Sequence, residues 1–145
     1  MSLSDNIAKY AVLTVVGLGA GVLLWQAFEP GSTADGRMAD VTVPQLSDRA
    51  TEGKVAFDAV CATCHGANAA GSDKGPPLVH DIYNPGHHSD DAFLLAAQRG
   101  VRQHHWRFGN MPPQPQISET EIRDIVQYVR ELQLANGITY KQHRM

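Results

Sequence analysis

Both cysteines of this 145-residue chain lie in one stretch, Cys61-Ala62-Thr63-Cys64-His65. No other feature restricts the fold as strongly, because two neighbouring thiols and an adjacent histidine must serve a common purpose. Four purposes compete. A structural zinc site needs two further ligands, usually a second C-x-x-C or histidines spaced along a helix. The chain has no second cysteine pair, and His87-His88 and His104-His105 are adjacent pairs. A thioredoxin-like redox centre needs a β-α-β setting, and no run alternates as a strand would. A disulfide across so short a loop stabilises little. In the fourth reading the two thiols bond to the vinyl groups of one haem, and His65 becomes the proximal iron ligand. Only this reading gives the histidine a task.

The surrounding sequence favours an all-α head with a thin core. The pattern predicts a helix over 49–60 with Phe57 and Val60 on its apolar side. A second is expected from the N-cap Ser89, through Asp90 and Asp91, to a stop at Gly100. The third and clearest opens on the capping box Ser118-Glu119-Thr120-Glu121 and ends at Gly137. It carries Ile122, Ile125, Val126, Val129 and Leu132 as one stripe. Residues 66–88 are rich in Gly, Pro, Asn and His and read as a long loop. Three short helices and long loops bury little, so a large apolar group at the centre would supply what the chain lacks. Gly109-Asn110-Met111-Pro112-Pro113 adds support. A methionine between turn-formers sits on a stiff loop suited to presenting its sulfur, rather than filling a core gap.

The N-terminal part has a different character. Tyr10 to Phe28 is an uncharged, mostly apolar run of nineteen residues, about 28 Å long as a helix and close to the thickness of a bilayer core. Tyr10 lies at one end, and Trp25 and Phe28 near the other, as interfacial aromatics would. The run exceeds the apolar core of a signal peptide, so a retained transmembrane anchor is expected over residues 1–28. Gly17 and Gly21 would permit close helix packing in lipid. Residues 29–47 read as a flexible linker, 48–137 as the head and 138–145 as a tail. The formal net charge is −3. Nothing in that balance suits nucleic-acid binding.

In this order the motifs resemble a class I c-type cytochrome of the small bacterial kind, across roughly residues 50–137. The resemblance implies a cytochrome c fold around one covalent haem c. It implies that Gly53 and Phe57 pack against Ile125 and Tyr128 where the first and last helices cross. In Gly75-Pro76-Pro77-Leu78, it implies that the Pro76 carbonyl accepts the Nδ1 proton of His65, and it places Met111 as the distal iron ligand. Attachment of this kind occurs outside the cytoplasm, so the head is expected in the bacterial periplasm and the anchor in the inner membrane. Lysine rings common in the family are missing here.

With His65 and Met111 filling both axial positions, no site remains for a small-molecule substrate, and an electron carrier rather than an enzyme is expected. The resemblance implies a quinol–cytochrome c oxidoreductase as donor, and a terminal oxidase or photosynthetic reaction centre as acceptor. Alternatives are a fixed haem-relay subunit of a larger complex, or a haem enzyme or sensor whose Met111 dissociates. Trp106 is expected to pack on the haem edge or donate to a propionate. Arg102 is expected inward, on a propionate, and Arg107 outward, on a docking patch. The paired histidines are read as loop residues lining the crevice, with a copper or zinc site as the alternative.

Overall fold

The computed structural model describes residues 39–142. The expected anchor and residues 29–38 of the expected linker lie outside the described residues. Among those described, no helix is long and apolar enough to cross a membrane. The head is helical. Helix α1 spans Asp48–Val60, α2 Ala62–His65, α3 Asp90–Arg99 and α4 Glu119–Ala135, with 3₁₀ turns at Ala67–Ala69 and Asp81–Tyr83. Among the described residues the only β-pairing is an isolated bridge between Val101 and Met111.

Local chemistry sets the helix ends. Ser47 Oγ accepts from the Ala50 N–H to open α1. At the start of α4, Ser118 and Glu121 exchange both bonds of the capping box. Ser89 occupies the N-cap of α3 without a side-chain bond, so Asp90 and Asp91 favour this end through the helix dipole. The sequence missed α2, the single turn that runs straight out of α1 and carries Cys64 and His65. Four residues are too few for a periodic signal.

Helices α1 and α4 cross at Gly53. A Cβ built there would lie 1.9 Å from the carbonyl oxygen of Asp124 and 2.8 Å from the amide nitrogen of Ile125, so only glycine permits this approach. One turn on, the Phe57 and Tyr128 rings meet edge to face with centroids 5.5 Å apart. Both are fully buried, as are Val129 and Leu132. Gly53→Ala must therefore separate the helices. Overpacking of this kind costs roughly 3 kcal/mol, and Tm should fall by about 15 °C. A Tm within about 3 °C of the parent on thermal unfolding would contradict so close a crossing.

The segments on either side of the head are held against it. Residues 39–47, read as part of a flexible linker, are strapped to the head. The Ala39 N–H donates to the Ala70 carbonyl at 2.7 Å. The Asn136 amide bonds both the N–H and the carbonyl of Thr42. Val41 and Leu46 pack on the core. The 3.6-residue period that signals a helix cannot reveal an extended strap whose partners are distant in sequence. The tail is also tied down in its described part. Ile138 is buried, Lys141 pairs with Asp81 at 2.7 Å, and the Lys141 N–H bonds Asn84 Oδ1.

Candidate functional site

A cavity of about 500 Å³ lies inside the head, lined largely by apolar groups, a size typical of ligand pockets at about 300–1,000 Å³. Helix α1 contributes Phe57, and Cys61 follows it. Helix α3 contributes Phe93 and Ala96, and α4 contributes Ile122, Ile125 and Val126. His65, Pro76, Trp106 and Met111 also line it. Five of the seven expected site residues thus share one space.

His65 is buried, and its Nδ1 lies 2.9 Å from the Pro76 carbonyl oxygen. A carbonyl only accepts, so Nδ1 carries the proton and Nε2 keeps its lone pair. Burial pushes the imidazolium below its ordinary pKa, partly opposed by that carbonyl, so the ring stays neutral. A neutral imidazole oriented by a carbonyl is the form that ligates a metal. The loop carrying Pro76 is held close, since a Cβ on Gly75 would lie 2.8 Å from the Cys64 carbonyl oxygen. Burial and the neighbouring Cys64 push the Cys61 thiol up to about 11. Cys64 is exposed and is not part of the cavity lining. The pair therefore straddles the cavity's edge.

Met111 is fixed through its backbone. Its N–H donates to the Val101 carbonyl at 3.0 Å, and the Val101 N–H donates to the Met111 carbonyl at 2.9 Å. A Cβ on Gly100, which has φ +75°, would lie 2.6 Å from the Met111 carbonyl oxygen. The Gln103 side chain accepts from the Gly109 N–H at 2.7 Å, and the Gln103 N–H donates to Asn110 Oδ1. The loop is thus stitched to the segment leaving α3, and both Val101 and Met111 reach the cavity.

The same bridge explains why the inward placement of Arg102 fails. Side chains alternate along extended backbone. Val101 lines the cavity, while Arg102 is exposed and outside it, and Arg99 at the end of α3 lines it instead. Arg107 is exposed and outside the lining, as expected. Trp106 lines the cavity, but its indole N–H donates to the Tyr83 hydroxyl at 3.1 Å. Burial pushes that hydroxyl up to about 12, against the lowering effect of the Trp106 bond.

Arg130 and Gln133 were missed as site supports. The Arg130 guanidinium bonds Asp90, Gln133, and the carbonyls of Tyr83 and His88, and lies over the Phe93 ring. Fully buried Gln133 donates to the Leu78 and Tyr83 carbonyls. The two residues tie the 78–88 loop to α4. Their trace in the sequence was faint: two polar residues beside Val129 and Leu132, at positions that continue the apolar stripe.

At the cavity wall His87, His88, His104 and His105 converge, and all but His87 line it. Ring centroids of His104 and His105 are 4.3 Å apart, and those of His88 and His105 5.2 Å. Burial is the largest cause and the neighbouring imidazoles add to it, holding His88 and His105 below the ordinary range. As a donor set, the cavity offers a neutral imidazole nitrogen, a thioether sulfur, an alkylatable thiol with its pair at the rim, and apolar walls. That set fits an iron porphyrin.

Comparison with known proteins points the same way. The family model described as Cytochrome c matches residues 50–133. The cytochrome bc1 complex cytochrome c subunit of Corynebacterium efficiens is 36% identical over 80 residues, covering 53% of this chain and 24% of that protein. The subunit of the same name from Corynebacterium diphtheriae is 41% identical over 76 residues, covering 50% of this chain and 24% of that protein. The chain spans about a quarter of the length of these curated relatives.

Proposed function

We propose, for a chain that belongs to the cytochrome c family, a role in carrying single electrons between membrane redox complexes while tethered to a bilayer through residues 10–28. Its cofactor is haem c, held covalently, and two cysteines in a C-x-x-C-H motif accord with that. The bound haem iron supplies a one-electron couple. The chain's residues do the rest. Cys61 and Cys64 fix the group in place. His65 binds through Nε2 with its ring held by Pro76, and Met111 offers its sulfur from the stitched loop. The apolar walls exclude water, which together with the thioether favours the less charged, reduced form. One observation carries this reading: His65 and Met111 line the same apolar cavity, with His65 Nδ1 committed to Pro76.

The two relatives, subunits of cytochrome bc1 complexes, support a quinol–cytochrome c oxidoreductase as donor. A terminal oxidase or photosynthetic reaction centre would be the acceptor, with the head in the bacterial periplasm and the anchor in the inner membrane. The relatives are named as subunits, and that favours one further reading, a fixed relay within a larger complex. The strapped segment 39–47 bears on the choice. It leaves residues 29–38 to bridge anchor and head, at most about 35 Å when fully extended. Replacing residues 1–28 with a cleavable secretion signal distinguishes the two. A carrier head should restore turnover in proportion to its concentration, since the tether no longer sets a local one. Poor reconstitution in large excess would overturn the carrier reading in favour of the fixed subunit.

Docking gives a second test. Residues 99–111 contain Arg99, Arg102 and Arg107 and no acidic residue. The exposed Arg102 and Arg107 are in no ion pair among the described residues. Arg107→Glu should slow electron transfer by the soluble head severalfold at low salt. The effect should nearly vanish at about 1 M, where the Debye length is roughly 3 Å. Stopped-flow rates equally slowed at every ionic strength would place its effect in the haem pocket.

A further inference from the structure

We propose that His87, His88 and His105 form a binding site for one divalent transition-metal ion, separate from the haem iron. The three rings offer ligand nitrogens that all lie within 4.8 Å of one another. Two segments far apart in sequence supply them: the loop before α3, and the loop between α3 and Met111.

The spacing is close to what a shared ion requires. Two nitrogens bound tetrahedrally at about 2.0–2.1 Å stand roughly 3.4 Å apart, and His87 Nε2 and His105 Nε2 are 3.2 Å apart. Two imidazolium rings would repel at that distance, whereas two neutral ligands of one cation would not. The third ring is already oriented for ligation. His88 Nδ1 lies 2.7 Å from the Ile82 carbonyl oxygen, so Nδ1 carries the proton and Nε2 keeps the lone pair. A ligating histidine commonly donates its other N–H to a carbonyl, and the bond fixes its tautomer and orientation. Arg130 holds the backbone from behind through the His88 carbonyl.

The donor set selects the ion. Three imidazoles without thiolate suit Cu²⁺, Ni²⁺ or Zn²⁺ rather than Mg²⁺ or Ca²⁺, and the Irving–Williams order ranks Cu²⁺ first. Three protein ligands leave a fourth position for water or an exogenous ligand. His88 and His105 also line the haem cavity. An ion at this site therefore adds positive charge beside the haem.

The test uses the intact haem-loaded protein, titrated separately with Cu²⁺ and Zn²⁺ and monitored by calorimetry, with electron paramagnetic resonance of the copper form. One equivalent should bind, with nitrogen hyperfine structure from the copper. His105→Ala removes an exposed ring and His87→Ala a half-buried one. Each should weaken binding by at least about 100-fold, the upper end for losing a mere outer partner of a metal site. Far-ultraviolet circular dichroism matching the parent certifies an intact fold. Absence of a one-equivalent site would overturn the proposal. So would unchanged affinity in either folded variant, or copper resonance without nitrogen splitting in the parent. None of these outcomes depends on the assignment of His65 or Met111.

Discussion

Replacing Cys61 and Cys64 together with alanine should leave a chain with no covalent haem and no cooperative unfolding transition. The reason is lost burial. A cavity of about 500 Å³ opens into the head between largely apolar walls. Without haem its apolar walls would face water, and the burial that offsets chain ordering would be lost. A domain is stable by only about 5–15 kcal/mol, so such a loss is large. Collapse is restricted, because Tyr128 and Leu132 are already fully buried outside the cavity lining and Gly53 is at its limit of approach. Circular dichroism during thermal unfolding and haem staining of the denatured protein measure both effects. A haem-free double variant with a sharp transition would show that the protein core suffices by itself.

Met111→Ala should leave haem attached and change its chemistry. The Met111 backbone is held by the Val101 bridge, which the substitution spares, so the loop should persist while its sulfur is lost. Loss of the thioether should lower the reduction potential by more than roughly 100 mV, about fifty-fold in the redox equilibrium at about 59 mV per tenfold. The vacated position should then take carbon monoxide in the reduced state. Redox titration and absorption spectroscopy check both. An unchanged potential and no carbon monoxide binding would remove Met111 from the iron.

Much of this site was legible because its signals are local. The C-x-x-C-H motif, the capping box at Ser118 and the proline-flanked Met111 are contiguous, and each has a mechanical reason for its composition. The α4 stripe was readable for the same reason, since one face of a helix repeats. What could not be read depends on tertiary pairing. The strap at residues 39–47 is held by Asn136, more than ninety positions away. Arg102 turns outward because Val101 pairs with Met111, a register no single-strand pattern announces. Arg130 and Gln133 look like ordinary polar helix residues until the 78–88 loop folds across them. The two histidine pairs were visible in the sequence, but not their convergence.

In the proposed role His65 and Met111 would both hold the haem iron and leave no position on it for a substrate. The most direct measurement is the absorption spectrum of the reduced, haem-loaded parent protein before and after carbon monoxide is added at neutral pH. An unchanged spectrum is expected, together with a methionine–iron charge-transfer band in the oxidised form. Prompt formation of a carbon monoxide complex by the parent would contradict it, and would make this cavity the open site of a haem enzyme or gas sensor.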